Sequence, residues 1–210
     1  MSAAAYAWSP DARTVDQANA TALMRRLGVA RYEDLLAIAD REPERFYRAL
    51  LAAVDFRFYR PYTRALDESR GIAWPRWCVG GTTNVVLNAL DRWRGTPTWD
   101  KPALVWEGED GARKDLSYAE LDREVCRFAG GLRALGLGRG DVIAVYMPNV
   151  PEAVVAMLAA AKIGAIVMPL FSGFGADALA ARLQLGEAKA LVTVDGSARR
   201  GKLVDAKSIA

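Results

Sequence analysis

Histidine is missing altogether from the 210 residues. That removes the commonest general base and the commonest metal ligand, so Ser/His/Asp hydrolysis, Cys/His chemistry and His-ligated zinc are excluded within this chain. Cysteine is nearly as scarce. Cys78 and Cys126 stand far apart, in neither a CxxC nor a metal-ligand spacing, which fits a reducing compartment and two buried or inert thiols. No long basic stripe occurs and the net charge is only +3, which disfavours a dedicated nucleic-acid binder. The longest apolar stretch, residues 150–171, is broken by Glu152, Lys162 and Gly164 and reads as a helix followed by a strand rather than a membrane span. The first seven residues lack the basic start and apolar core of a secretory signal. The expectation is a cytoplasmic protein with no membrane span and no nucleic-acid partner.

What remains is ordinary globular composition, 52% hydrophobic and 25% charged, in a chain long enough for one or two domains. Residues 16–58 carry apolar positions at helical spacing, such as Leu23, Leu27, Leu35 and Ile38. Breaks at Gly28, Pro43, Pro61 and Gly71 divide the region into two or three helices. This predicts a helical leader over residues 1–78, a structural cap without chemistry of its own.

A Gly-rich connection follows, Gly80-Gly81-Thr82-Thr83-Asn84. It invites a phosphate-loop reading, but no Lys follows at the required spacing and no apolar strand leads into it. Thr83 or Asn84 instead suits the N-cap of a helix over residues 85–94. Residues 103–107 and 113–116 predict a hairpin around the turn at 108–111. Ser117-Tyr118-Ala119-Glu120 is a capping box, and Leu121, Val125, Phe128, Leu132 and Leu135 form the stripe that its helix must bury.

From residue 140 strands and helices alternate. Residues 141–147 are a near-continuous apolar run of strand length, such as a parallel strand covered on both faces requires. Residues 151–164 read as a helix with Pro in its first turn and Gly at its exit, 165–170 as a strand, 177–185 as a helix and 189–194 as a strand. The fold class is therefore α/β: a helical leader, then over residues 79–210 an incomplete, mainly parallel βαβ layered sheet with helices on both faces.

Ligands of open α/β sheets gather beyond the carboxyl ends of the strands, here just after residues 170 and 194. Phe171-Ser172-Gly173-Phe174-Gly175 offers an aromatic surface beside small residues, and Arg199-Arg200-Gly201-Lys202 offers several cations suited to a polyanion. A plain solvated basic loop is the alternative reading of the second segment.

Six short segments carry a resemblance. They are Trp106-Glu107-Gly108, Gly140-Asp141-Val142, Tyr146-Met147-Pro148, Pro151-Glu152-Ala153, Gly173-Phe174 and Arg199-Arg200-Gly201-Lys202. In this order they resemble the AMP-forming acyl-CoA synthetases of the acyl-adenylate-forming superfamily, nearest the acetyl-CoA synthetase branch, over residues 77–210. The chain departs from that branch at Thr82-Thr83, at Trp93 where His is usual, and at Ser172 where the acetate enzymes typically have Gly.

The resemblance implies a ligase that joins a carboxylic acid to coenzyme A with ATP, through an acyl-adenylate, releasing pyrophosphate and AMP. It implies that Phe171, Ser172, Gly173, Arg199 and Lys202 contact coenzyme A, with Leu203 and Val204 as neighbours of its adenine. The family's phosphate-binding loop, ribose-binding Asp and catalytic Lys correspond to nothing in this sequence, so no catalytic residue, no metal ligand and no ATP or Mg²⁺ site is expected here. The expectation is an N-terminal fragment truncated before the ATP-phosphate loop, inactive on its own and prone to aggregate. A noncatalytic module that binds coenzyme A or a partner ligase is the other reading. The acid is not specified.

Overall fold

Apolar residues spaced three and four apart leave a helix one face to bury, and the first part of the chain meets that need by packing helices on one another. The structure, a computed structural model, describes residues 7–199 and 201–210. By compactness the chain divides into two units, Met1–Thr83 and Asn84–Ala210. In the first, α1 (Ala12–Gln17), α2 (Asn19–Leu27), α3 (Tyr32–Arg41) and α4 (Pro43–Ala53) occupy the expected leader. Leu23, Leu27, Leu35 and Ile38 are buried together, with Phe46 and Leu50 packed against them. Gly28 ends α2 and Pro43 opens α4, as their positions suggested.

Beyond α4 the sequence reading foresaw no strand, yet β1 (Arg64–Asp67) and β2 (Arg76–Val79) form an antiparallel pair with Leu66 opposite Trp77. β2 spans the boundary placed at Cys78. The Glu44 carboxylate ties α4 to β1 by accepting the backbone N–H groups of Ala65 and Leu66 at 2.6 and 3.1 Å. Buried Asp67 accepts from the backbone of Ser69 and from the Arg76 guanidinium, and these partners hold its carboxyl down to about 2.

The second unit opens with α5 (Val85–Ala89), whose N-cap is Asn84; its Oδ1 accepts from the N–H of Val86 at 2.9 Å. The helix expected to reach residue 94 breaks at Leu90, where ψ is −61° and φ is −122°, and a 3₁₀ turn covers Asp91–Trp93. The break turns Asp91 toward Lys162, whose ammonium donates to it at 2.8 Å. β3 (Pro102–Glu107) and β4 (Arg113–Ser117) form the predicted antiparallel hairpin. Ser117 and Glu120 form the capping box of α6 (Tyr118–Ala134), which buries Leu121, Val125, Ala129 and Leu132. Leu135 falls outside that stripe: as the C-cap residue it is exposed.

The sheet consists of β5 (Val142–Tyr146), β6 (Ile166–Leu170) and β7 (Ala188–Thr193), all parallel, in the order β6-β5-β7. α7 (Pro151–Lys162) links β5 to β6, and α8 (Ala176–Leu185) carries the chain back past β5 to β7. The two crossovers run in opposite directions, so the right-handed rule places their helices on opposite faces. Side chains agree. Ile143, Val167 and Val192 pack with α6 and α7, whereas Ala144, Tyr146 and Leu191 pack with Leu179 of α8. Both faces are thus buried, as the unbroken apolar run of β5 required. Gly164 makes the tight exit from α7 with a φ of +79°, a conformation that side-chain-bearing residues rarely adopt.

After β7 the chain forms a hairpin of β8 (Ser197–Arg199) and β9 (Lys202–Val204), then the short α9 (Ala206–Ile209), which Asp205 caps by accepting from the N–H of Ser208. No helix of the described residues is long and apolar enough to cross a membrane.

Candidate functional site at the carboxyl ends of the strands

Strands β5 and β6 end side by side, with Tyr146 paired to Leu170, so the segments that leave them diverge from one edge. A cleft of about 780 Å³ opens there. Val145, Met147 and Pro148 line it from β5, Pro169, Phe171 and Ser172 from β6. Ala198 and Val204 of the β8–β9 hairpin close one side.

A further wall is the turn of the β3–β4 hairpin. Trp106, Glu107, Gly108, Glu109 and Asp110 all face the cleft. The Trp106 indole N–H donates to the carbonyl of Asn149 at 2.7 Å and so pins this turn to the segment leaving β5. Gly108 permits the arrangement: a Cβ there would stand 2.8 Å from the Trp106 ring and 2.6 Å from the Asp110 carboxylate. Glu109 reaches across toward the tip of the β8–β9 hairpin, accepting from the N–H of Gly201 at 3.5 Å.

The loop after β6 is a tight turn. The N–H of Phe174 donates to the carbonyl of Phe171 at 3.0 Å, and the two rings meet edge to face with centroids 5.6 Å apart. Phe171 is 59% exposed, a large apolar ring presented at a cleft mouth. Below it the Tyr146 hydroxyl donates to the Phe174 carbonyl at 2.7 Å, with the Ser172 carbonyl at 3.3 Å.

Of the residues expected to hold a ligand, Phe171 and Ser172 line the cleft, and Gly173 sits exposed between Ser172 and Phe174. Lys202 is exposed on β9 and does not line the cleft, whereas its neighbour Val204 does; Leu203 is exposed. Arg199 pairs with Lys202 across the hairpin. Arg200 and the side chain of Arg199 lie outside the described part of the structure. The cationic segment expected as a simple loop is therefore a hairpin turn, with Gly201 at its tip. Sequence reasoning missed the acidic β3–β4 turn as a wall of the cleft, although Trp106-Glu107-Gly108 was one of the segments that carried the resemblance.

Residues 80–83 are held by local packing. Thr82 is tied to Arg60 by a backbone bridge, and a Cβ on Gly81 would meet Cys78, Tyr62 and Phe58 at 3.0–3.2 Å, so that glycine serves internal packing. Burial pushes the Cys78 thiol up, away from reactivity, while Cys126 is exposed rather than buried. Among the described residues no group of three or more His, Cys, Asp or Glu could hold a metal ion.

Comparison with known proteins decides the family. The sequence model described as AMP-binding enzyme matches residues 90–209. The chain belongs to that family. Residues 32–89 match a second model, the acetyl-coenzyme A synthetase N-terminus, so α3 and α4 of the leader share in the same resemblance. An acetyl-coenzyme A synthetase of Deinococcus radiodurans is 42% identical over 182 residues, and a 3-hydroxypropionyl-coenzyme A synthetase of Metallosphaera sedula is 39% identical over 176. These alignments cover 87% and 84% of this chain but only 27% and 26% of the relatives. An acetoacetyl-CoA synthetase from Streptomyces lividans has a similar structure, with a TM-score of 0.89 at 34% identity over 96% of this chain and 32% of that one. The chain thus spans about a quarter to a third of the length of such AMP-binding enzymes.

Proposed function

We propose that this chain supplies part of the coenzyme A seat of an AMP-forming carboxylic acid–CoA ligase, and that it does not carry out the reaction on its own. The observation that carries the reading is the cleft at the ends of β5 and β6, lined by Phe171 and Ser172, for which the resemblance implies contact with coenzyme A. An exposed ring suits stacking on adenine, and the cations of the β8–β9 turn suit the phosphates. Phe171, Ser172, Gly173, Arg199 and Lys202 are the proposed contacts, with the ring as platform and Arg199 and Lys202 as the clamp.

The family's reaction draws on ATP, a carboxylic acid, coenzyme A and Mg²⁺. The reading assigns no step through Mg²⁺ or ATP to this chain. Calorimetric titration of the chain with coenzyme A tests the reading. Saturable binding is expected, lost or weakened in Phe171→Ala and Lys202→Ala and competed by adenosine 3′,5′-bisphosphate; no binding at millimolar coenzyme A would overturn it. A pyrophosphate-release assay with ATP and a carboxylic acid should stay at background, and turnover by the chain would refute its proposed dependence on further sequence.

A further inference from the structure

Tyr146 closes β5 and has no exposed surface. It stands in an apolar cluster with Ala144, Leu170, Leu179 and Ala206, where a Phe ring would fill the same space. A hydroxyl placed among such neighbours is unfavourable unless it is hydrogen-bonded. The bonds recorded for it go to the loop after β6: the Phe174 carbonyl at 2.7 Å and the Ser172 carbonyl at 3.3 Å. A hydroxyl has one proton, so the shorter contact takes most of it and the Phe174 carbonyl is its main partner.

A second side chain holds the same residue by its ring. The Arg182 guanidinium carbon lies 4.0 Å from the centroid of the Phe174 ring, and its Nη1 donates to the carbonyl of Ala178 at 2.9 Å, which fixes the cation to α8. Phe174 in turn meets Phe171 edge to face. Two rigid elements, the central strand and α8, therefore converge on Phe174, and Phe174 sets the ring that faces the cleft. Neither Tyr146 nor Arg182 lines the cleft.

We propose that Tyr146 and Arg182 are positioning residues that hold the 171–175 loop in its ligand-ready form through Phe174. The inference rests on the coenzyme A reading for its ligand, and on the geometry alone for the loop. A loop fixed before binding spares the ligand the entropy of ordering it, so loosening the loop weakens binding without removing a contact.

The test uses Tyr146→Phe, which keeps the ring and its packing, and Arg182→Gln, which lies on the exposed side of α8. Amide hydrogen exchange by NMR is followed at Phe174, with Ala144 and Val192 of the sheet as internal references. The Phe174 amide is expected to exchange roughly fivefold to tenfold faster in Tyr146→Phe, the factor an ordinary lost hydrogen bond carries, and roughly twofold to fivefold faster in Arg182→Gln, the factor of an exposed cation–π contact, while the sheet amides are unchanged. The dissociation constant for coenzyme A is expected to rise by a similar factor. An unchanged Phe174 amide, or equal acceleration of the sheet amides, overturns the positioning role, as does unchanged affinity in variants of a chain that binds. If the unmodified chain takes up no coenzyme A, the ligand reading falls and the exchange measurement still decides whether these residues position the loop.

Discussion

Replacing Asp122 by Asn should destabilise the second unit by about 2 kcal/mol, a value that follows from the partners of its carboxylate. Asp122 is buried on α6 and accepts from the Arg94 Nη2 with both oxygens, at 2.8 and 2.7 Å. The Lys162 ammonium stands 3.5 Å away and is held at 2.8 Å by Asp91, so two acids and two bases form one neutral group. The group joins the segment after α5 to α6 and to the end of α7. Asn keeps the shape and removes one negative charge, which leaves the two cations facing only Asp91. A hydrogen bond to a charged partner contributes about 1.5–3 kcal/mol, and breaking a fully buried pair costs about 3–5. Arg94 is 49% exposed at its side chain, so solvent screening takes the estimate to the lower range.

Thermal unfolding followed by circular dichroism measures the effect. For a unit of this size the midpoint should fall by roughly 6–10 °C. A double-mutant cycle with Arg94→Gln should return a coupling of about 1 kcal/mol or more, because the second substitution removes the partner already lost. A loss under about 0.5 kcal/mol for Asp122→Asn, or additive single effects, would falsify the claim that this ion group fastens the segment to the helices.

Three further outcomes follow from the packing and the electrostatics. Leu179→Ala, which empties a fully buried site between α8 and the sheet, should cost about 2–5 kcal/mol in denaturant unfolding; a cost under 1 would show that α8 is not packed as described. Ser117→Ala should cost about 1 kcal/mol by removing half of the capping box of α6, whereas Ser117→Asp should recover most of the loss in the same assay. Asp67 binds its proton more weakly when folded than its usual 3.8, at about 2, so its stabilising effect is complete above about 4 and is lost as the pH falls toward 2. Acid titration of stability should therefore be shallower below pH 4 in Asp67→Asn than in the unmodified chain, and parallel curves would refute that role.

How much of this was legible in the sequence depended on whether an element is shaped by its own residues. β5 could be read because a strand covered on both faces must be apolar throughout, and residues 142–146 are. α6 could be read from its capping box and its stripe, both local signals. The hairpins β1–β2 and β8–β9 could not, since Arg64-Ala65-Leu66-Asp67 and Lys202-Leu203-Val204 show no sustained alternation and their register is set by turns and by side chains from elsewhere, such as Glu44. The early end of α5 was hidden for the same reason: Asp91 leaves the helix to meet Lys162, 71 positions further along.

The cleft divides along the same line, and the division explains why half of its wall was found and half was not. Phe171 and Ser172 follow a strand of the sheet, and the rule that ligands gather at strand ends needs only the position of that strand. Trp106, Gly108 and Glu109 belong to a hairpin whose turn precedes β5 by more than thirty residues, and nothing local marks it as a neighbour of β6. What brings it there is the bond from the Trp106 indole to Asn149, together with the missing Cβ at Gly108 that lets the indole fold down. The consequence is electrostatic. Glu107, Glu109 and Asp110 place carboxylates on this wall, and Glu109 accepts from the N–H of Gly201 at 3.5 Å, so a negative charge stands at the tip of the β8–β9 hairpin and opposes a polyanion there. Charge reversal by Glu109→Lys should therefore strengthen the binding of adenosine 3′,5′-bisphosphate and of coenzyme A, by about the 0.2–1 kcal/mol typical of exposed pairs. Unchanged affinity at low ionic strength would mean that the acidic wall does not act on the ligand at all.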